Sequence, residues 1–284
     1  MSTEPDHMKN FVYVPDKTKP WFLEKPELQW PARYLLEKYS HIPPEDVERV
    51  VVDFRDRAWE TYPFPCIGAF DFLDFWLATR NLLYPRLLAR LKEGATFLDI
   101  GCCLGHDIRK LVFDGVPGEN LAGVELRQGY IDLGYEFFRD KDTLGAKMYQ
   151  GDVLEPITSE PWPQVEGKFD VVNLGMIIHV FEWDEQVALF ERAIKALKPG
   201  QLGTTITGLG VGGIAGTVNP LLGKMIPIHN VETFGKLIDA VSEKTGTKWE
   251  VDAELDTCCS EYVPKFRWLG PGIRRMTFEI TRVA

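Results

Sequence analysis

The residues best placed to do chemistry are Asp99, Gly101 and Gly105, which close a short apolar run, Phe97 to Ile100, and precede the helical pattern of Ile108, Leu111 and Val112. A buried strand, a sharp glycine turn and a helix make a place to hold a nucleotide. The glycines let backbone approach a ligand, and the first amides of the helix offer unpaired N–H groups to polar or anionic atoms. Cys102 is small enough for a tight loop of this kind. A second short strand, Leu121 to Glu125, ends in an acid twenty residues after Gly105, where a nucleotide-binding βαβ unit places a carboxylate to accept from ribose hydroxyls. The glycine spacing is not G-x-G-x-x-G, which disfavours a dehydrogenase. Taken singly, each glycine also reads as an ordinary turn and each acid as a solvated loop residue.

Asp99, Gly101 and Gly105 resemble the first motif of the class I S-adenosylmethionine-dependent methyltransferases, (D/E)-x-G-x-G-x-G, with Cys103 where the middle glycine usually stands. Met148-Tyr-Gln-Gly-Asp152-Val153 resembles the third-strand motif of the same family. The resemblance implies S-adenosyl-L-methionine as cofactor and no metal. Asp152 would accept from the adenine amino group, the amide of Val153 would reach a ring nitrogen, and Cys102, Leu126 and Asn173 would add cofactor contacts. The implied fold is an α/β, Rossmann-like, mostly parallel seven-stranded sheet whose last strand is antiparallel.

Asn173-Leu-Gly-Met lacks the (N/D)-P-P-(Y/F) motif of amino-group methyltransferases, so an oxygen or carbon acceptor is implied. His179 lies where many small-molecule members carry a histidine after the fourth strand. It reads as a base for a phenol, as a donor that orients a carboxylate, or as a histidine hydrogen-bonded within a helix terminus. His229 is the second candidate. Arg57-Ala-Trp59, Tyr62-Pro-Phe-Pro-Cys-Ile-Gly68 and Phe72-Leu73 are similar to segments of small fungal tailoring methyltransferases of polyketide and meroterpenoid pathways, some of which methylate a carboxylate. The acceptor would then be an apolar ring-bearing acid or phenol. The rival readings are a methyltransferase-like enzyme that cyclises or rearranges its substrate without consuming the cofactor, and a cofactor-binding regulator.

These residues need elements to position them. From residue 93 strand and helix patterns alternate, which favours a parallel sheet with helices on both faces, so 93–284 reads as the methyltransferase core. Gln128 to Arg139 is a crossover helix and Phe169 to Leu174 the fourth strand, beside the first. Asp184 is placed to cap a helix over Val187 to Leu197, and Leu202 to Thr207 makes the fifth strand. The glycine-rich stretch from Gly208 to His229 reads as a long loop, either an acceptor-site flap or a plain connection. Asn230 then caps a helix, and the alternations Val251, Ala253, Leu255 and Met276, Phe278, Ile280 give two late strands.

Ahead of the core, residues 1–92 hold nearly half of the aromatic residues and read as an N-terminal helical extension, either a covering layer or also a lid over the acceptor. Phe11 and Tyr13 belong to its aromatic-rich start. Val47, Val50, Val51, Phe54 and Ala58 have amphipathic helical spacing, and Phe70 to Leu91 reads as a second helix that breaks before Pro85.

Composition sets the outer bounds. The 284 residues are 45% hydrophobic and 26% charged, ordinary for a soluble globular protein. A net charge of −10 argues against gripping a nucleic-acid backbone. The chain lacks an apolar run of membrane-spanning length and a secretory leader, which points to a cytoplasmic enzyme. Cys66, Cys102-Cys103 and Cys258-Cys259 have no zinc-site spacing and read as reduced thiols. The oligomeric state is left open.

Overall fold

A computed structural model of the chain describes residues 15–80, 82–221, 224–256 and 268–284. Phe11, Tyr13 and the Cys258-Cys259 pair lie outside them. The helices are α1 (Trp30–Lys38), α2 (Val47–Thr61), α3 (Pro65–Gly68), α4 (Leu83–Lys92), α5 (His106–Phe113), α6 (Gln128–Phe138), α7 (Trp162–Val165), α8 (Trp183–Ala196) and α9 (Val231–Thr245). The strands are β1 (Phe97–Ile100), β2 (Leu121–Glu125), β3 (Lys147–Gln150), β4 (Val171–Gly175), β5 (Thr205–Gly213), β6 (Thr217–Leu221), β7 (Lys224–Ile228), β8 (Trp249–Leu255) and β9 (Ile273–Arg282). Seven of them form a sheet in the order β3-β2-β1-β4-β5-β9-β8, in which β9 alone runs antiparallel to its neighbours. That is the mostly parallel sheet expected, with the last strand reversed.

By its contacts the chain divides into two compact units. The first holds the described residues of Thr96–Gly101 and Gly151–Ala284. Here β1 pairs in parallel with β4, and β4 with β5; Asp99 stands opposite Asn173. The apolar faces of α8 and α9 meet β9 through Phe190, Phe234 and Phe278, with the Phe234 and Phe278 ring centroids 4.8 Å apart. Each such buried ring contributes about 2–3 kcal/mol by leaving water. Asn230 accepts from the Thr233 N–H at 2.8 Å, the cap its sequence position predicts.

The second unit holds the described residues of Tyr13–Ala95 together with Cys102–Gln150. Its β2 and β3 pair in parallel. The apolar stripe of α2 lies against α6, where Phe54 and Phe137 meet at 4.9 Å and Arg57 bonds Glu136. Arg55 of the same helix is buried between the rings of Phe22 and Phe70, at 4.1 and 4.3 Å, and donates to the carbonyls of Leu23 and Gly68. One apolar cluster therefore joins Val51 and Trp59 of α2 to Leu104, Tyr130 and Phe137.

Three expectations are corrected. Residues 70–80 are not helical: Phe70 and Phe75 take left-handed backbone angles (φ 60 and 46), and a short 3-10 turn spans Asp71–Leu73. The helix starts instead at Leu83, so Pro85 lies in its first turn, where a missing N–H costs nothing. Glu182, not Asp184, is the N-cap of α8, and the Glu185 carboxylate accepts from its backbone N–H at 3.0 Å.

The third correction concerns the glycine-rich stretch, which is neither a loop nor a short fifth strand followed by one. Thr205 to Gly213 pairs continuously with β9, and β6 and β7 form a hairpin beyond it. Gly208, Gly210 and Gly212 alternate on one face of the strand. A Cβ at Gly208 would stand 2.5 Å from both the Leu174 carbonyl oxygen and the Phe278 ring. Their spacing of two is a strand signal in which side-chain absence makes room for neighbours.

Candidate active site

In the second unit the chain leaves β1 through a tight turn in which Gly105 N–H donates to Cys102 O at 2.7 Å. Cys103 takes a left-handed conformation (φ 53), between Gly101 (φ 78) and Gly105 (φ 67). Cys103 thus holds a backbone angle that glycine adopts freely, at a steric cost of about 1–2 kcal/mol. Cys102 is buried and its Sγ packs under the turn, 2.8 Å from where a Cβ on Gly123 would stand.

Glu125 closes β2 with both carboxylate oxygens anchored. Oε2 accepts from Cys103 N–H and Oε1 from Arg127 N–H, each at 2.9 Å. Burial raises its pKa and those two amides oppose the rise. Each oxygen accepts from one of these amides and retains further acceptor capacity, the acceptor set a vicinal diol requires. The sequence places Glu125 and the turn at a nucleotide, and the structure brings these two together. Leu126, next along, is half-buried and its carbonyl accepts from Gln150 at 3.3 Å.

In the first unit Asp99 accepts from the Asn173 side-chain amide at 2.7 Å, so these two predicted residues also meet. Asp152 follows β3 in an Asx turn: its Oδ1 accepts from Leu154 N–H at 2.9 Å and its carbonyl from Trp162 Nε1 at 2.8 Å. Arg192 stacks over Trp162 at 4.5 Å and bonds the Glu155 carbonyl, bracing that turn. Val153 is buried beside it.

His179 lies in a 3-10 turn after β4, where its Nδ1 accepts from the Val211 N–H of β5 over a long 3.4 Å. Burial pushes its pKa down to about 4. The ring is neutral at pH 7 and carries its proton on Nε2. His229 is placed differently: Nε2 donates to Gln186 Oε1 at 2.7 Å, and Nδ1 meets Thr233 Oγ1 at 3.2 Å. Both of its nitrogens are engaged by interior partners.

Gln186, fully buried on α8, was missed by the sequence reading. Its amide nitrogen donates to the carbonyls of Ile178 and Phe181 at 3.2 and 3.1 Å, which ties His229 to the turn carrying His179. A buried glutamine on the apolar face of a helix was the available signal.

Burial depresses His106, His179 and His229 alike, from an ordinary 6.5 to about 4. The unfolded chain binds protons there that the folded one refuses. Their stabilisation is therefore complete above about pH 6.5 and is lost as pH falls towards about 4. Thermal melts should drop by several degrees between pH 7 and pH 5; a flat profile over that interval would contradict these environments.

Among the described residues no group of His, Cys, Asp and Glu is arranged to hold a metal, and no helix is long and apolar enough to cross a membrane.

A family described as Meroterpenoid methyltransferase N-terminal domain matches residues 21–73, and one described as Methyltransferase domain matches residues 97–200. The O-methyltransferase phiE of Fungal sp. (strain ATCC 74256) is 45% identical over 224 residues, covering 78% of this chain and 74% of that protein. The O-methyltransferase atr3 of Stereocaulon alpinum is 36% identical over 289 residues, covering 99% and 79%. Among solved structures, phosphoethanolamine N-methyltransferase 2 of Haemonchus contortus, in complex with S-adenosyl-L-methionine, shares the fold. Its TM-score is 0.52 at 18% identity, covering 81% of this chain and 60% of that one.

Proposed function

This chain belongs to the class I S-adenosylmethionine-dependent methyltransferases, among the fungal tailoring enzymes of meroterpenoid and polyketide secondary metabolism, and from that premise we propose that it methylates an oxygen of an apolar small molecule, a carboxylate in preference to a phenol. When bound, S-adenosylmethionine supplies an electrophilic methyl group on a sulfonium. Glu125 would accept from the ribose hydroxyls and Asp152 from the adenine amino group, and the Val153 amide would donate to the adenine ring. The turn at Gly101, Cys102 and Gly105 would admit the rest of the cofactor, Leu126 would add a contact, and the Asp99–Asn173 hydrogen bond holds the ends of β1 and β4 together. The task left to the protein is alignment of acceptor oxygen and methyl, and exclusion of water.

The observation that carries the choice of acceptor is the state of His179. With Nδ1 accepting from Val211 and the ring kept neutral, Nε2–H is a hydrogen-bond donor. A donor suits a carboxylate, which is ionised at pH 7 and needs no base, whereas a phenol, with a pKa near ~10, needs one. The shared name of the two relatives, O-methyltransferase, supports transfer to oxygen. His229 acts behind the site, through Gln186, rather than on the acceptor.

The test is mass spectrometry of aromatic acids and phenols incubated with enzyme and cofactor, with S-adenosylhomocysteine release measured in parallel. The expected product is an ester that mild alkali cleaves. His179→Gln keeps a donor and should retain most activity, while His179→Phe should lower kcat/KM by about 10- to 100-fold. A stable aryl ether product together with an inactive His179→Gln enzyme would establish a base and overturn the carboxylate reading.

A further inference from the structure

Arg109 of α5 is a buried cation that bonds the glycine turn directly and reaches the segment before β1 through Asp140. Its side chain is 1% exposed. Nη1 donates to the carbonyls of Leu104 and Gly105 at 2.7 and 3.2 Å. Nε and Nη2 donate to the two oxygens of Asp140, just past α6, at 2.8 and 2.9 Å. Asp140 in turn accepts from the Tyr39 hydroxyl, at the end of α1, at 2.8 Å. Burial, followed by Asp140, pushes the Tyr39 phenol above its ordinary pKa, so it remains a donor.

The approach is close enough to need two glycines. A Cβ on Gly105 would stand 2.5 Å from Arg109 Nη1, and one on Gly134 of α6 would stand 2.4 Å from the Leu104 carbonyl oxygen. The guanidinium also lies 4.7 Å from the Phe138 ring. Its partners are therefore fixed by packing as well as by charge.

We propose that Tyr39, Asp140 and Arg109 are positioning residues for the cofactor, through which the N-terminal segment sets the conformation of the turn 102–105. A trans peptide points its carbonyl and the following N–H in opposite directions. The Gly105 carbonyl accepts from both the Arg109 N–H and Nη1, each at 3.2 Å, and this second bond fixes the peptide so that the His106 N–H points away, at the start of α5, where an unpaired amide serves a ligand. The N-terminal segment then contributes to cofactor affinity without touching the cofactor. This rests on the reading that the turn and Glu125 hold the cofactor.

The experiment is calorimetric titration of the full chain with S-adenosylhomocysteine, alongside thermal melts and hydrogen exchange of a peptide spanning residues 101–108. Tyr39→Phe should weaken binding about fivefold and Arg109→Lys about tenfold or more, with faster exchange in that peptide. Val51→Ala, in the same apolar cluster but outside the relay, should lower the melting temperature and leave the affinity at the wild-type value. Wild-type affinity in Tyr39→Phe, or an equal loss in Val51→Ala, would overturn the relay; Tyr39→Phe decides alone where Arg109→Lys does not fold. Wild-type affinity in Glu125→Ala would instead overturn the underlying assignment of the turn, and the two failures are distinguishable.

Discussion

Asp140→Ala is expected to destabilise the protein by about 3–5 kcal/mol, because it strands the Arg109 guanidinium in the interior without its bidentate partner. Asp140 and Arg109 are 2% and 1% exposed, so solvent cannot take over the role of the missing carboxylate. The carbonyls of Leu104 and Gly105 still accept from Arg109, but a carbonyl dipole does not neutralise a charge. Tyr39, half-buried, loses its acceptor as well. Denaturant unfolding measures this directly. A loss below about 1 kcal/mol would mean that water reaches the pair, contrary to its burial.

The second large effect concerns cofactor affinity. Glu125→Ala should weaken S-adenosylhomocysteine binding by about 1–3 kcal/mol, roughly 5- to 150-fold, and Asp152→Ala by a similar amount. The two act differently. Glu125 also receives the Cys103 and Arg127 amides, so its loss frees the turn as well as removing an acceptor. Glu125→Gln, which keeps one carbonyl oxygen and adds a donor, should fall between wild type and alanine. Asp152→Asn offers a sharper readout, since an amide can still accept while its own NH₂ faces the adenine amino group. Calorimetry at fixed ionic strength gives all four values, and unchanged affinity in Glu125→Ala would remove it from the site.

Much of the frame was legible because strands buried on both faces are written as short apolar runs. Phe97 to Ile100 and Leu121 to Glu125 fall on β1 and β2 residue for residue. Gly105 and Glu125, twenty residues apart, have the spacing of a strand-turn-helix unit, and the Glu125 carboxylate accepts from the Cys103 amide of that turn. The stretch from Gly208 to Gly213 was misread because glycine density signals loops, whereas here alternate glycines clear space for Phe278 and Leu255. Pro85 misled in the same way, since a proline is disruptive inside a helix and harmless in its first turn.

The polar ties were not legible for a different reason. Arg109 meets Asp140 across 31 residues and Gln186 meets His229 across 43, and nothing in the local pattern of either pair requires the other. Arg109 between Ile108 and Val112 is at most a charged residue beside an apolar stripe. Such pairs become visible only when helices are packed. The conformation of Cys103 is of this kind too: the letter suggests a departure, and the backbone keeps the geometry a glycine would give.

The apolar cluster shared by α2, Leu104 and α6 bears on how enzymes of this kind can be recombined. The two family matches, 21–73 and 97–200, suggest a seam at which segments from different relatives could be exchanged. Folding does not respect that seam, because Tyr130, Leu133 and Phe137 have their packing partners upstream of it. A chimera joined there would bring together surfaces that never evolved against each other. Crossovers that carry α6 along with the leading segment keep that interior intact.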